Sequence, residues 1–266
     1  MDRKLTLISH FYNEEFLLPY WLRHHTRIFD HGVMIDYQST DRSLEIIREL
    51  APTWEIRPSR YQQFDPYTLD AEVMDIEEEF NGWKMALNTT EFLVHHDIRK
   101  AIREVEDKLP GYVGILPAGV IMCDAAEDYD KPLNERPLFF QRFHGWFEPV
   151  PPEGGRHRLI HRAPNGRYTI GRHDTFIKNA IYRDDIYCVW FGWSPYPQVK
   201  NRKLQIRPKM STTRDDNLGL EHKVASEEID HVFREKSATT ECLLAKYPQY
   251  AQELDLVRQH LYQDEI

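Results

Sequence analysis

The sequence predicts an α/β fold, a mostly parallel sheet with flanking helices that gives way to an irregular C-terminal region. Three observations predict it. Short β-rich apolar runs alternate with helical patterns through the first half of the chain. Polar clusters follow directly after three of those runs, where loops at strand ends stand in a parallel sheet. A Pro- and Gly-rich stretch, Pro149, Pro151, Pro152, Gly154 and Gly155, then breaks the rhythm.

Leu5–Phe11 is the first apolar run, and it breaks at Asn13-Glu14-Glu15. Phe16, Tyr20, Leu22 and Ile28, set among charged residues, predict a helix. Gly32 precedes a second strand, Val33–Ile35, which ends at Asp36. Ser39-Thr40-Asp41 predicts an N-cap for a helix over Leu44–Leu50, and Pro52 stops that helix. Trp54–Ile56 supplies a third strand. Asp70–Phe80 is an acidic helix closed by Gly82, and Trp83–Leu87 is a fourth strand.

Right-handed crossovers between parallel strands place the loops at one edge of the sheet. Asn13-Glu14, Asp36–Asp41 and Asn88–Glu91 are therefore expected to converge on one crevice. A charged helix runs from beyond Asp97 to Lys108, and Tyr112–Met122 is a further strand. Asp124–Asp130 reads as an exposed acidic loop. Short strand candidates follow at Leu159–His161, Tyr168–Ile170, Tyr187–Phe191 and Leu204–Ile206. From Ser226 the pattern is helical, with a break near Pro248.

The 266 residues, 41% hydrophobic and 29% charged, have globular composition. A formal net charge of −9 argues against a nucleic-acid partner, while leaving room for a local basic groove. Cys123, Cys188 and Cys242 are widely spaced and lack zinc-site spacing, so buried thiols in a reducing compartment are expected. The opening residues turn polar too quickly for a signal peptide, and no run approaches the roughly 20 apolar residues of a membrane span. A cytoplasmic protein without a membrane span is expected.

The strongest constellation is Asp36-Tyr37-Gln38-Ser39-Thr40-Asp41. A carboxylate at a strand end can accept hydrogen bonds from a base or ribose, and the Ser and Asp behind it shape the turn. With His10-Phe11-Tyr12-Asn13-Glu14-Glu15 before it, the segment resembles the opening of GT-A fold glycosyltransferases, family 2-like. In that family the first strand ends in Asn-Glu, and the second in an Asp-x-x-Ser-x-Asp motif that holds the nucleotide. The resemblance covers the N-terminal part of the chain and is patchy afterwards. It implies a GT-A (Rossmann-like) sheet, with donor-binding roles for Asn13, Glu14, Asp36 and Asp41.

The family's next landmark is Asp-x-Asp, often continuing Glu-Phe, which holds a divalent metal against the donor diphosphate. Here Trp83, Glu91 and Phe92 fit, but Asn88 and Thr90 stand where the aspartates are expected. Hard cations want oxygen ligands with negative charge, and Glu91 alone supplies it. Mn²⁺ or Mg²⁺ is thus expected to bind weakly, with Glu91 and His173 as ligands, or to be replaced by cationic side chains. Asn88 and Thr90 are expected to face the donor.

His173 ends the segment Arg167–His173, which follows the basic strand Arg158–Arg162. Related enzymes carry a similar His that reaches the diphosphate or a metal. Arg172, Arg202 and Lys203, with Arg207, are candidates to neutralise the leaving diphosphate. A transferase that inverts needs a carboxylate base for the acceptor hydroxyl. Asp174 is the first candidate on its spacing from the metal-motif segment, and Asp216 the second.

These features imply a hexosyltransferase-type enzyme moving a sugar from a nucleoside diphosphate donor, UDP-linked, to a carbohydrate or other hydroxyl acceptor. The alternative is a non-catalytic nucleotide-sugar or glycan-binding protein, for which the altered Asp-x-Asp speaks. Residues 1–125 would form the nucleotide-sugar-binding α/β subdomain. Residues 126–225 would contact acceptor and diphosphate, and 226–266 would be C-terminal helices.

Overall fold

The computed structural model describes residues 4–151, 153, 155–210 and 225–263. The first half follows the expected alternation: β1 (Leu5–Phe11), α1 (Leu18–His25), β2 (His31–Asp36), α2 (Ser43–Leu50), β3 (Glu55–Pro58), α3 (Pro66–Glu77) and β4 (Trp83–Ala86). These strands form a parallel block in the order β3-β2-β1-β4. Phe11 lies opposite Asp36 and Ile8 opposite Ala86, so the strands end near one another.

Helix α3 begins earlier than the acidic run suggests. Asp65 caps it, accepting from the backbone N–H of Tyr67 (3.0 Å) and Thr68 (3.2 Å), and Pro66 occupies the first turn. Asp70 consequently lies inside the helix and is buried. Asp41 works differently from a simple cap. One carboxylate oxygen accepts from Ser43 N (2.9 Å) and the other from Glu15 N (3.0 Å), tying the loop after β2 to the loop after β1.

The second half completes a mixed sheet. It contains β5 (Glu91–Val94), α4 (Ile98–Lys108), β6 (Gly114–Cys123), β7 (His144–Phe147), β8 (Ile160–His161), β9 (Ala180–Trp193), α5 (Tyr196–Ile206), α6 (Ser226–Ser237), β10 (Glu241–Cys242), α7 (Leu243–Lys246) and α8 (Pro248–Leu261). Strand β8 links β4 to β6 with antiparallel pairing, and β7 and β10 extend that edge. Strand β9 runs parallel to β6 and antiparallel to β5.

Two short strand candidates take another form. Tyr168 makes one bridge to Thr175, and a 3₁₀ turn over Ile170–Arg172 follows. Leu204–Ile206 is the last turn of α5, not a strand. Tyr196, Val199, Lys203 and Ile206 are the buried positions, a helical spacing rather than an alternation. The start of α5 is fixed by buried Asp124, which accepts from Ser194 Oγ (2.5 Å) and Tyr196 N (2.7 Å). Asp128 is also buried and bonds Lys131 and His144, so the acidic loop turns two of its carboxylates inward.

One core cluster packs α1, α2, α4 and α8 against one face of the sheet, and a second packs α3 against the other. Strand β5 pairs with β9 on one side, and its other edge would leave backbone polar groups in an apolar interior. Helix α1 satisfies them with side chains. Trp21 Nε1 donates to Glu91 O (2.8 Å), His24 Nε2 donates to Leu93 O (2.7 Å), and His25 Nε2 accepts from Leu93 N (3.2 Å). His24 Nδ1 also accepts from the Tyr262 hydroxyl (2.6 Å), and His25 Nδ1 donates to Trp21 O.

Both imidazoles must be neutral to serve these partners. Burial pushes His24 down to about 4, and burial with the neighbouring His24 takes His25 well below its usual value. The unfolded chain protonates these residues below a pH of about 6.5, whereas the folded chain resists until lower pH. Their contribution to stability is thus complete above about 6.5 and is lost as the pH falls toward 4. An NMR titration should find His24 neutral at pH 5.5. Between pH 7 and 5, urea denaturation should lose about 2 kcal/mol on its account. An imidazole already charged at pH 5.5 would refute the assignment.

Candidate active site

A cavity of about 280 Å³ opens at the carboxyl ends of β1 and β4. Strand β1 and its loop contribute His10, Tyr12 and Glu14, and the loop after β4 contributes Asn88 and Thr90. Helix α3 supplies Asp70. Arg156, Arg158, Arg172 and His173 come from the segment between β7 and β9, Trp190 from β9, and Arg202 and Lys203 from α5.

Ion pairs organise this lining. Arg158 Nη2 donates to Glu91 Oε1 (2.5 Å) and Nη1 to Gly171 O (2.6 Å). Arg172 Nη1 donates to Asp70 Oδ1 (2.5 Å) and Nη2 to Asn88 Oδ1 (2.6 Å), while Gly171 N donates to Asp70 Oδ2 (2.6 Å). Asn88 donates from its backbone N to Glu91 Oε2 (2.7 Å) and from Nδ2 to Glu91 Oε1 (3.2 Å). On the facing side Arg202 Nε donates to Glu14 Oε1 (2.5 Å). Arg158 and Arg172 are each 2% exposed, yet the Nε of each has no partner among the described residues.

The turn that presents Arg172 is unusual. Gly171 (φ 78°) and Arg172 (φ 57°) both adopt left-handed backbone. A non-glycine residue there is costly and persists where its surroundings fix it, as the bonds to Asp70 and Asn88 do here.

Burial and the nearby arginines together govern the cavity's two histidines. Burial first, and then Arg172, Arg202 and Arg158, hold His10 well below its usual value. Burial followed by Arg158, Arg156 and Arg172 pushes His173 down to about 2. Both are neutral, and the Nδ1 of His173 is buried without a partner among the described residues. Burial pushes the Glu14 carboxyl up, against the pull of Arg202.

Of the residues singled out from sequence, Glu14, Asn88, Thr90, Arg172, His173, Arg202 and Lys203 line the cavity. Asn88 and Thr90 are engaged by protein partners, Thr90 Oγ1 accepting from Trp190 Nε1 (3.1 Å). Lys203 is buried with its ammonium 4.5 Å from the Trp193 ring centre.

Asn13 and Asp41 stitch two loops together instead of lining the cavity. Asn13 Oδ1 accepts from Thr40 N (2.8 Å), and its own N–H donates to Ser39 Oγ (3.1 Å). Asp36 also lies off the cavity lining. Its Oδ1 accepts from Ser39 N (2.9 Å), and Phe64 packs against Tyr12, Tyr37 and His10 near that strand end. The loops after β1 and β4 therefore meet at the cavity, and the loop after β2 is joined to them from the side.

Asp174 is exposed and off the lining, its Oδ1 accepting from Thr175 N (2.7 Å). Asp216 lies outside the described residues. Sequence reasoning passed over Asp70, concealed in an acidic helix, and Arg156 and Arg158. The Arg-rich run around Arg158 carried a signal, but the partner Glu91 lies 67 positions away.

The carboxylate expected to hold a divalent metal, Glu91, does not fit one, and its neighbours' oxygens are engaged as well. Both Glu91 oxygens are taken by Arg158 and Asn88, Asn88 Oδ1 by Arg172, and Thr90 Oγ1 by Trp190. Among the described residues the clusters of three or more potential ligands are His95–His96–Glu253 and Glu127–Asp128–His144, and neither includes Glu91 or His173.

No protein-family model matches the chain, and no curated protein matches it in sequence. Among solved structures, S. aureus TarS 1-349 in complex with UDP-GlcNAc matches at 11% identity over 97% of this chain and 81% of that chain, with a TM-score of 0.43. HddC from Yersinia pseudotuberculosis matches at 9% identity over 75% of this chain and 99% of that chain, with a TM-score of 0.42. Glucosyl-3-phosphoglycerate synthase from Mycobacterium tuberculosis, solved with Mg²⁺ and UDP, matches at 13% identity over 44% of each chain, with a TM-score of 0.31. These are likenesses of chain path, and the site stands on this chain's own residues. The order of the parallel block, with a cavity at its carboxyl ends, agrees with the GT-A fold that the N-terminal motifs imply. Among the described residues no helix is long and apolar enough to cross a membrane.

The buried pair makes a direct stability prediction. Glu91→Ala leaves Arg158 charged and uncompensated in the interior, which should cost about 3–5 kcal/mol in urea denaturation. Replacing both partners (Glu91→Leu with Arg158→Met) should cost less than the single change. A double variant weaker than Glu91→Ala would contradict this account.

Proposed function

We propose that the chain is a glycosyltransferase that binds a nucleoside diphosphate sugar, UDP-linked, and passes the sugar to a carbohydrate hydroxyl. One observation carries the reading. Two buried guanidinium groups, Arg158 and Arg172, line a cavity at the carboxyl ends of parallel strands, each with an Nε–H that lacks an acceptor. The oxygens of a diphosphate are suited to guanidinium groups at such a site, where they accept charge-assisted hydrogen bonds. The Asn-Glu and Asp-x-x-Ser-x-Asp motifs beside the same cavity support the nucleotide-sugar form of that anion. The nucleoside would extend past Tyr12 toward Asp36.

In the transfer step the acceptor oxygen attacks the anomeric carbon as the bond from that carbon to the phosphate oxygen breaks. The electron pair leaves with the nucleoside diphosphate. Arg158, Arg172, Arg202 and Lys203 offset the charge that develops on it. The acceptor's proton needs a base. The two carboxylates lining the cavity, Glu14 and Asp70, are each engaged by an arginine. The neutral imidazole of His173 lines the cavity, and we assign it the proton. A bound diphosphate cancels part of the arginine field that depresses His173 and so raises its basicity.

The second reading, a nucleotide-sugar or glycan-binding protein without turnover, draws on those same occupied carboxylates. Transfer or hydrolysis of a nucleotide sugar separates the two readings, since a binder shows neither.

A thermal-shift panel of nucleoside diphosphates and their sugars should show UDP or a UDP-sugar raising Tm. Arg172→Ala should weaken that binding tenfold or more, about 1.4 kcal/mol, and Asp36→Ala should weaken it as well. Indifference to every nucleotide would count against the reading. In turnover assays His173→Gln should lose kcat at least a hundredfold while still binding UDP, and Asp174→Asn should stay near wild type. The reverse pattern would return the base to Asp174.

A further inference from the structure

We infer that Arg158 occupies the role of a divalent cation in this cavity, so that the donor diphosphate is bound without metal; the inference rests on the nucleotide-sugar reading above. Glu91 is the one acidic residue in the segment Trp83–Leu93. A hard cation needs oxygen lone pairs that are open to it. Glu91 is 2% exposed, with both oxygens already accepting from Arg158 and Asn88. The side-chain oxygens of Asn88 and Thr90, at the positions of the two missing aspartates, accept from Arg172 and Trp190.

The charge balance agrees. Five cationic side chains line the cavity, opposed by Glu14, Asp70 and the Glu91 paired with Arg158, which leaves positive charge in excess. Such a field repels an added divalent cation and attracts a diphosphate. Arg158 is held as a metal would be, by a carboxylate on one side and the Gly171 carbonyl on another, and it keeps an unpartnered Nε–H. A fixed guanidinium offers directed hydrogen bonds to phosphate oxygens, so it neutralises charge without a coordination sphere to complete.

The test is calorimetric titration of the wild-type protein with whichever of UDP, GDP, dTDP, CDP and ADP binds in the thermal panel. Titrations are run in EDTA and again with millimolar Mn²⁺. The expected result is binding in EDTA, with Kd values that agree within about threefold. Binding that needs Mn²⁺, or tightens tenfold or more with it, overturns the inference and leaves the nucleotide reading standing. No binding of any nucleotide in either buffer overturns both. Arg158→Ala should bind the nucleotide at least tenfold more weakly in EDTA, provided its circular dichroism matches wild type. A folded Arg158→Ala that binds as wild type does would also overturn the inference. The wild-type titration stands whether or not that variant folds.

Discussion

The contact between Arg158 and Glu91 is the constraint on which the cavity depends. Two charges buried to this degree are tolerated because each satisfies the other and because further hydrogen bonds take up part of their remaining capacity. Those further bonds close a ring. From Glu91 it passes through Asn88 to Arg172, through Asp70 to Gly171, and back to Arg158. Its members come from the loop after β4, from α3, and from the segments before and within the left-handed turn at Gly171 and Arg172. The ring therefore fixes four stretches of chain that share no local geometry. It also explains why a strained turn persists, since releasing Arg172 would leave Asp70 buried without its charge partner.

Around this ring the scaffold repeats one device, in which a buried polar side chain satisfies backbone that secondary structure leaves open. Helix α1 covers the free edge of β5 with Trp21, His24 and His25, which ties the strand beginning at Glu91 to the helix. Asp124, at the end of β6, accepts from the residues that open α5 and so sets where Arg202 and Lys203 stand. Burial raises the Asp124 carboxyl, while Ser194 and Tyr196 pull it back. The cavity thus has one wall fixed by the parallel block and another by a helix anchored to β6.

Legibility in the sequence tracks how local each signal is. Strands β1, β2 and β4 and the loops after them were readable because an apolar run, a polar break and a helical spacing lie within a few residues of one another. Residues Leu204–Ile206 misled because three residues cannot distinguish an alternation from one helical turn. The buried positions of α5 show the helical period only when Tyr196 and Val199 are included. Asp124 and Asp128 looked exposed because a run of acidic letters gives no hint of the distant Ser194 and His144 that bind them inside. The site divides likewise. Arg172 and Arg202 were legible as candidate site residues and do line the cavity, whereas the partners that determine what Asn88 and Glu91 can do lie far along the chain. Motif position located Glu91 correctly beside the cavity, and a long-range ion pair changed its chemistry.

The same arginine field binds the site's electrostatics to its chemistry. Overall the chain carries a net charge of −9, so a dianionic ligand is repelled by much of the surface and attracted at this cationic cavity. Within that place burial first, and the arginines second, keep His10 and His173 neutral, which leaves both imidazoles with a lone pair. Adding an anion weakens the arginine field at each ring and makes protonation less costly. Ligand charge and imidazole basicity are therefore coupled through Arg158 and Arg172, with no movement of the backbone required. On the proposed reading, His173 is a weaker base in the empty cavity than with a diphosphate bound. This ordering suits a reaction in which the acceptor's proton should leave only once the donor is bound.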